Sequence, residues 1–102
     1  MAMTPEARVK AQVVKVLKKL GVYYFYPVTG GYGTSGVPDI VCCYRGLFFA
    51  IECKANGNKP TPLQEVQIRK IKEAGGYAIV ANEQNMANIE QWFLDCAAVS
   101  YE

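Results

Sequence analysis

The segment from Val37 to Lys54, VPDIVCCYRGLFFAIECK, determines most of what this sequence predicts about its fold. Its two apolar halves, 37–44 and 47–54, have the length of strands and are separated by the two-residue turn Arg45-Gly46. Both halves are apolar at nearly every position, which is typical of strands that are covered on both faces. The segment therefore predicts an antiparallel hairpin inside a sheet.

The register of this hairpin brings two carboxylates together. If Tyr44 faces Leu47 across the turn, the numbers of paired residues sum to 91, so Asp39 faces Glu52 with Cβ atoms about 5 Å apart. Lys54 lies two residues beyond Glu52 and points to the same face of the strand. The sequence thus predicts a cluster of two acids and one base at one end of the hairpin.

Carboxylates that face each other in an apolar hairpin destabilise the fold unless a cation offsets their repulsion. One interpretation is a site for a hard divalent cation, Mg²⁺ or Mn²⁺, held by Asp39, Glu52 and the backbone carbonyl of Cys53. The alternative is a solvated end of the sheet, where Lys54 forms a salt bridge with the acids. The spacing alone leaves both interpretations open.

Helices and further strands are predicted on both sides of the hairpin. Thr4-Pro5 and Thr61-Pro62 are typical helix starts, and Gly21 and Gly75-Gly76 are typical stops. The predicted elements are a helix over 5–20, strands over 22–26, 37–44 and 47–54, a helix over 62–74, a strand over 77–81 and a helix over 84–98. This α-β-β-β-α-β-α order predicts an α/β fold, with a single domain over 1–102.

Apolar and sulfur-containing residues indicate where this domain has its core. The last helix is predicted to bury a stripe at helical spacing: Met86, Ile89, Trp92, Phe93 and Cys96. The four cysteines form no CxxC pair and are predicted to be reduced, buried residues of a cytosolic protein. They are Cys42, Cys43, Cys53 and Cys96.

Composition excludes several classes of protein. The 102 residues include no histidine, which excludes His-based acid–base and nucleophilic sites and most zinc sites. No apolar run approaches the ~20 residues of a membrane span, and the N-terminus lacks the apolar region of a signal peptide. We therefore expect a cytoplasmic protein without membrane partners, or one in the host-cell cytoplasm if the protein is viral.

Charge and glycine are unevenly distributed. Residues 1–72 carry a net charge of +7 and residues 73–102 one of −5, so the first part could face a polyanion or simply be a solvated surface. Gly31, Gly33 and Gly36 match GxGxxG, but Val37-Pro38 follows instead of a helix, which argues against a nucleotide cofactor. Candidate DNA contacts in the polar loops are Tyr32, Ser35 and Lys59, although loop polarity alone predicts such residues.

Four short motifs occur together in one order. They are SGVPDI at 35–40, ECK at 52–54, TPLQ at 61–64 and AGG at 74–76. Their order and spacing resemble the VRR-NUC branch, the virus-type replication-repair nuclease domain, of the PD-(D/E)xK nucleases. The resemblance extends from Glu6 to about Phe93 and implies a restriction-endonuclease-like core, with a mixed central sheet flanked by helices.

The resemblance also implies roles for individual residues. It implies that Asp39 and Glu52 are metal ligands, that Lys54 orients water and stabilises charge, and that Gln64 acts near the site. It further implies that Glu6 binds the metal directly or through water. Glu6 and Gln64 each have a simpler alternative role. An acid such as Glu6 is favoured in the first turn of a helix, and Gln64 completes a capping box.

The function that the resemblance implies is a Mg²⁺- or Mn²⁺-dependent DNA endonuclease. A homodimer that cuts branched DNA such as Holliday junctions is the first expectation, because a symmetric junction requires two active sites. A flap or general duplex nuclease is the alternative within enzymes. A catalytically silent DNA-binding module is the rival from another class, and a host-interaction protein is a third.

Overall fold

Strands and helices are added to the hairpin on both sides. The computed structural model of the protein describes residues 3–28 and 33–100. Within these ranges the elements are α1 (Pro5–Leu20), β1 (Tyr23–Phe25), β2 (Ile40–Tyr44), β3 (Leu47–Cys53), α2 (Pro62–Glu73), β4 (Tyr77–Ala81), a short 3₁₀ turn (Met86–Asn88) and α3 (Ile89–Ser100). The strand order is β1-β2-β3-β4, with β4 parallel to β3 and the other pairs antiparallel. The predicted element order and mixed sheet are confirmed.

The hairpin has the predicted register. Tyr44 lies opposite Leu47, and Ile40 lies opposite Ile51. Arg45 and Gly46 have positive φ values of 53° and 80°, which both central residues of a type I′ turn require. The strand itself begins at Ile40 rather than at residue 37, since Pro38 has no N–H to donate to a ladder.

Helices α1 and α3 cover one face of the sheet. Their apolar residues pack against alternate side chains of the strands, and the fully buried members of this core include Val9, Val13, Leu17, Ile40, Phe49, Ile51, Ile89 and Phe93. Thr4 caps α1 as the sequence predicts, since its Oγ1 accepts a hydrogen bond from the Ala7 N–H at 3.1 Å. No helix among the described residues combines the length and the apolar character needed to span a bilayer.

The opposite face is covered only in part, which corrects two predictions about burial. α2 lies against β4 and buries none of its residues completely, and Leu63 is 58% exposed. Beyond α2 the face remains open, so Cys43 is exposed rather than buried and Phe48 is 47% exposed. The hairpin is therefore covered on both faces at its carboxylate end but not at its turn.

The segment before α3 folds as a turn rather than as helix. Asn82 and Asn85 each accept the backbone N–H of the other, at 3.0 and 2.9 Å, and the Asn85 amide donates to the Val80 carbonyl at 2.7 Å. These bonds compete with helix formation, so α3 begins at Ile89 and not at residue 84. The predicted stripe lies on the core, with Ile89 and Phe93 fully buried and its other members half-buried.

Candidate active site

Asp39 and Glu52 lie at the same end of the hairpin. Each lies one residue beyond the Ile40–Ile51 pair, at which the ladder between β2 and β3 ends. The Cys53 N–H donates to Asp39 Oδ2 at 2.8 Å, which fixes the Asp39 carboxylate although the residue precedes the strand. The backbone of β3 therefore positions both acids.

Glu52 is a buried acid with an unsatisfied oxygen. Its side chain is 2% exposed, and its Oε2 has no hydrogen-bond partner in the described part of the chain. Burial, followed by a hydrogen bond with Asp39 and the charge of Asp39, raises the pKa of Glu52 to about 8, whereas the Lys54 charge lowers it. An unpaired buried oxygen of this kind is costly unless a ligand completes its coordination.

The donor set fits a hard cation that retains water ligands. The described residues contain no group of three His, Cys, Asp or Glu side chains arranged to hold a metal. They offer two carboxylates beside the Cys53 backbone, one of which has the unpartnered oxygen. Mg²⁺ is commonly bound by one or two carboxylates with several waters, so these residues suit Mg²⁺ or Mn²⁺ better than zinc.

A polar cleft of about 370 Å³ opens at Asp39. It is lined by Lys10, Tyr26, Pro27, Gly36, Val37, Pro38, Asp39 and Gln64. Gly36 contacts the start of α2 so closely that a Cβ atom there would lie 2.6 Å from the Leu63 carbonyl carbon and 2.9 Å from the Gln64 nitrogen. This contact holds the loop before Asp39 against the N-terminus of α2.

Gln64 takes part in both of its predicted arrangements. Its Oε1 accepts the Thr61 N–H at 2.9 Å while its own N–H donates to Thr61 Oγ1 at 3.2 Å, so the capping box is present. The residue also lines the cleft with Asp39. Because the cap uses the oxygen, the side-chain NH₂ group of Gln64 is the part that remains for a ligand.

The other predicted site residues lie at different distances from this centre. Lys54 is half-buried, and its charge lowers the pKa of Glu52. Glu6 is exposed in the first turn of α1, near enough to raise that pKa but outside any group of three ligands. Ser35 and Lys59 are exposed and do not line the cleft, and Tyr32 lies outside the described residues.

Comparison of the sequence with known proteins identifies a related nuclease. The chain matches no protein-family model. It is 31% identical over 90 residues to a protein of Acyrthosiphon pisum secondary endosymbiont phage 1 named "Putative nuclease p44", covering 87% of this chain and 95% of the phage protein. The chain belongs to the family of this phage protein.

Two solved structures share the fold. A structure described as a VRR_NUC domain superposes with a TM-score of 0.70 and 21% identity, covering 87% of this chain and 97% of the other. The Holliday junction resolvase Hjc of Archaeoglobus fulgidus superposes with a TM-score of 0.56 and 22% identity, covering 74% and 66%. The VRR-NUC fold that the motifs predict is confirmed.

Two residues of the cleft in this VRR-NUC fold were not predicted from the sequence. Lys10 and Tyr26 line it, and the Lys10 ammonium lies 4.1 Å from the centre of the Tyr26 ring. Lys10 follows Glu6 by four residues, so both lie on one face of α1. That spacing is the signal in the sequence, because a helix that presents Glu6 to the site also presents Lys10.

Proposed function

We propose that this chain is a divalent-metal-dependent endonuclease that hydrolyses phosphodiester bonds in DNA. The observation that carries the proposal is a pair of neighbouring acids: Asp39 is half-buried and lines a polar cleft, and Glu52 is buried with an unpartnered oxygen. The name of the related phage protein supports the nuclease activity. The absence of histidine from the chain is compatible with this chemistry, since metal-assisted hydrolysis does not require a histidine base.

Each residue of the site has a role in this proposal. Asp39, Glu52 and the Cys53 carbonyl would hold Mg²⁺ or Mn²⁺, with Glu6 acting directly or through water. A metal held there would supply Lewis-acid polarisation of a phosphoryl oxygen and would make bound water more acidic. Lys54 orients the attacking water and stabilises the negative charge that develops on the phosphoryl oxygens. Gln64 donates from its side-chain NH₂ to the substrate phosphate.

Branched DNA is the proposed substrate. The structural similarity to a Holliday junction resolvase supports it, and a homodimer would supply the two active sites that a symmetric junction requires. Flap or duplex cleavage is the alternative. A silent DNA-binding module is disfavoured because Asp39, Glu52 and Lys54 are all present. We place the activity in the cytoplasm, or in that of the host cell for a viral protein.

The test is cleavage of a panel of end-labelled substrates: a four-way junction, a flap, a duplex and a single strand. Each is incubated with Mg²⁺, with Mn²⁺ or with EDTA. We expect cleavage with either metal, none with EDTA, and the highest rate on the junction. Equal rates on junction and duplex would contradict the branched-DNA assignment, and no cleavage of any substrate would contradict the nuclease itself.

A further inference from the structure

A groove of about 460 Å³ runs along α1 and continues from the active-site cleft. It is lined by one face of α1, from Ala7 to Lys18, and by Tyr26. Lys10 and Tyr26 also line the cleft, so the two depressions share a wall. A ligand that extends from the cleft across Lys10 and Tyr26 reaches the groove.

The groove has an uncharged floor and a basic rim. Ala7, Ala11 and Val14 are half-buried and recur at helical spacing, and Lys15 and Lys18 stand exposed beside them. This stripe lies apart from Val9, Val13 and Leu17, which face the core. None of the described residues that line the groove is acidic. The lysines therefore give the groove a positive charge that suits a polyanion.

Lys10 forms no ion pair within the described residues, so its ammonium group is available to such a ligand. Glu6, four residues earlier, has the spacing for an ion pair with Lys10. Within the described residues, however, the ion pairs are Lys19–Glu90 at 2.9 Å and Arg69–Glu73 at 3.8 Å. Lys10 instead lies over the Tyr26 ring, a contact that leaves its N–H groups able to donate elsewhere.

We propose that this groove binds the phosphate backbone of the DNA strand on one side of the scissile bond, with Lys10, Lys15 and Lys18 contacting the phosphates. The inference rests on the proposed function and adds the path of the substrate. From Lys10 to Lys18 the helix rises about 12 Å at 1.5 Å per residue. Measured along the duplex axis, that length covers three or four nucleotide steps of about 3.4 Å each.

A pair of variants with matched charge tests this path. In the first, Lys10→Gln, Lys15→Gln and Lys18→Gln are combined. In the second, Lys19→Gln, Lys70→Gln and Lys72→Gln are combined, so that both lower the net charge from +2 to −1. Lys19 pairs with Glu90, and Lys70 and Lys72 lie in the last turn of α2, away from the groove. The affinity for a labelled duplex and a labelled four-way junction is measured in EDTA across a salt series.

We expect the groove variant to lose affinity by roughly tenfold or more and to lower the slope of log K against log [salt] by about two to three units. The control variant should keep most of the parent's DNA affinity and most of its salt dependence. The groove variant and the control variant should both melt near the parent temperature. Equal losses in the two variants, or no loss in the groove variant, would overturn the path. A parent that fails to bind DNA would overturn it as well.

The cleavage assay with Mg²⁺ separates this inference from the proposed function. If the parent binds DNA but does not cut it, the nuclease assignment is wrong. The comparison of the two variants still tests whether DNA binds along the groove. If the parent cuts and the two variants bind alike, the nuclease assignment stands and the groove is wrong.

Discussion

At the scale of single residues, Glu52 combines two features that oppose each other. Its side chain is as buried as the apolar residues around it, yet its Oε2 lacks a partner and a second acid lies beside it. Such an arrangement costs stability in the free protein. A bound cation would offset both the burial of Glu52 and its repulsion with Asp39.

Replacing Asp39 tests that use directly. Asp39→Asn keeps an oxygen that can accept the Cys53 N–H but removes one negative charge from the pair. Cleavage should fall by several orders of magnitude, because charge stabilisation by a metal is worth several kcal/mol. DNA affinity in EDTA should persist, and the melting temperature in EDTA should be unchanged or higher.

A matched control is Glu83→Gln, since Glu83 Oε2 also accepts a backbone N–H, that of Asn56, at 3.0 Å. This variant should cut like the parent. If Asp39→Asn cuts as well as the parent, the site is wrongly assigned. If it melts far lower in EDTA while Glu83→Gln does not, Asp39 has a structural role.

The stability of the metal-free protein should depend on pH through Glu52. Its pKa rises from 4.5 to about 8 on folding, so the folded state binds more protons than the unfolded state between these values. The contribution of Glu52 is therefore fully present below pH 4.5 and is lost as the pH rises through about 8, by a few kcal/mol at most.

The measurement is urea denaturation in EDTA from pH 5 to pH 9, with Glu52→Gln as the comparison. The parent should lose more free energy of unfolding than the variant over this range, because glutamine does not titrate. Parallel curves for the two proteins would show that Glu52 ionises without cost.

The sequence predicts these acids better than it predicts their neighbours. A two-residue turn and the alternation of side chains along a strand suffice to pair Asp39 with Glu52, since both rules are local. Lys10 and Tyr26 meet only because the residue that follows β1 folds back against α1, and no spacing along the chain specifies that contact. Residues brought together by tertiary packing are the ones that pattern analysis misses.

At the scale of elements, the site depends on how closely α2 approaches the loop before Asp39. Gly36 has a φ of 77°, and a Cβ atom there would overlap the Leu63 carbonyl and the Gln64 nitrogen, both of which are backbone atoms. Backbone cannot move aside as a flexible side chain can. The first turn of α2 therefore sits beside Asp39 only because residue 36 has no side chain.

Gly36→Ala should consequently do more than strain the backbone. Gly57 has nearly the same φ, 75°, but a Cβ atom there would have nothing within 4 Å, so Gly57→Ala is a control for strain alone. We expect Gly57→Ala to cost roughly 1 kcal/mol and Gly36→Ala to cost more, with a larger fall in cleavage rate. Thermal melts and junction cleavage measure both effects, and equal losses in the two variants would refute the close contact as the cause.

Helix boundaries were predicted correctly where a single capping residue sets them. They were missed where two residues of a turn bond to each other. The caps at Thr4 and Thr61 and the glycine stop at Gly21 were predicted correctly. The start of α3 was not, because Asn82 and Asn85 bond to each other's backbone in a turn that helical periodicity does not reveal. The apolar runs of the two hairpin strands likewise predicted more burial than the partly covered sheet provides.

At the scale of the whole molecule, the structure shows where the basic and acidic parts of the sequence lie. α1 carries five basic residues and one acid, and it borders both the cleft and the groove. The acidic last thirty residues include α3, whose Glu90 pairs with Lys19. The basic charge is thus concentrated beside the carboxylates that bind metal in our proposal, where a polyanionic substrate would otherwise be repelled.

The last prediction concerns how many copies act on one junction. A site with two carboxylates cuts one strand at a time, so a symmetric junction is resolved in one encounter only if two copies bind together. Light scattering should therefore give a mass of about twice 11.3 kDa. On a supercoiled plasmid that extrudes a cruciform, the parent should produce linear DNA without accumulating nicked circles.

An experiment with mixed subunits tests whether one copy or two copies make the two cuts. When parent and Asp39→Asn chains are unfolded together and refolded at equal concentration, about half of the dimers should contain one intact site by random pairing. These mixed dimers should convert the cruciform plasmid to nicked circles, which neither pure protein should accumulate. A mixture that yields only linear DNA, at half the parent rate, would mean that a single copy makes both cuts, and a mass of 11.3 kDa would agree with that result.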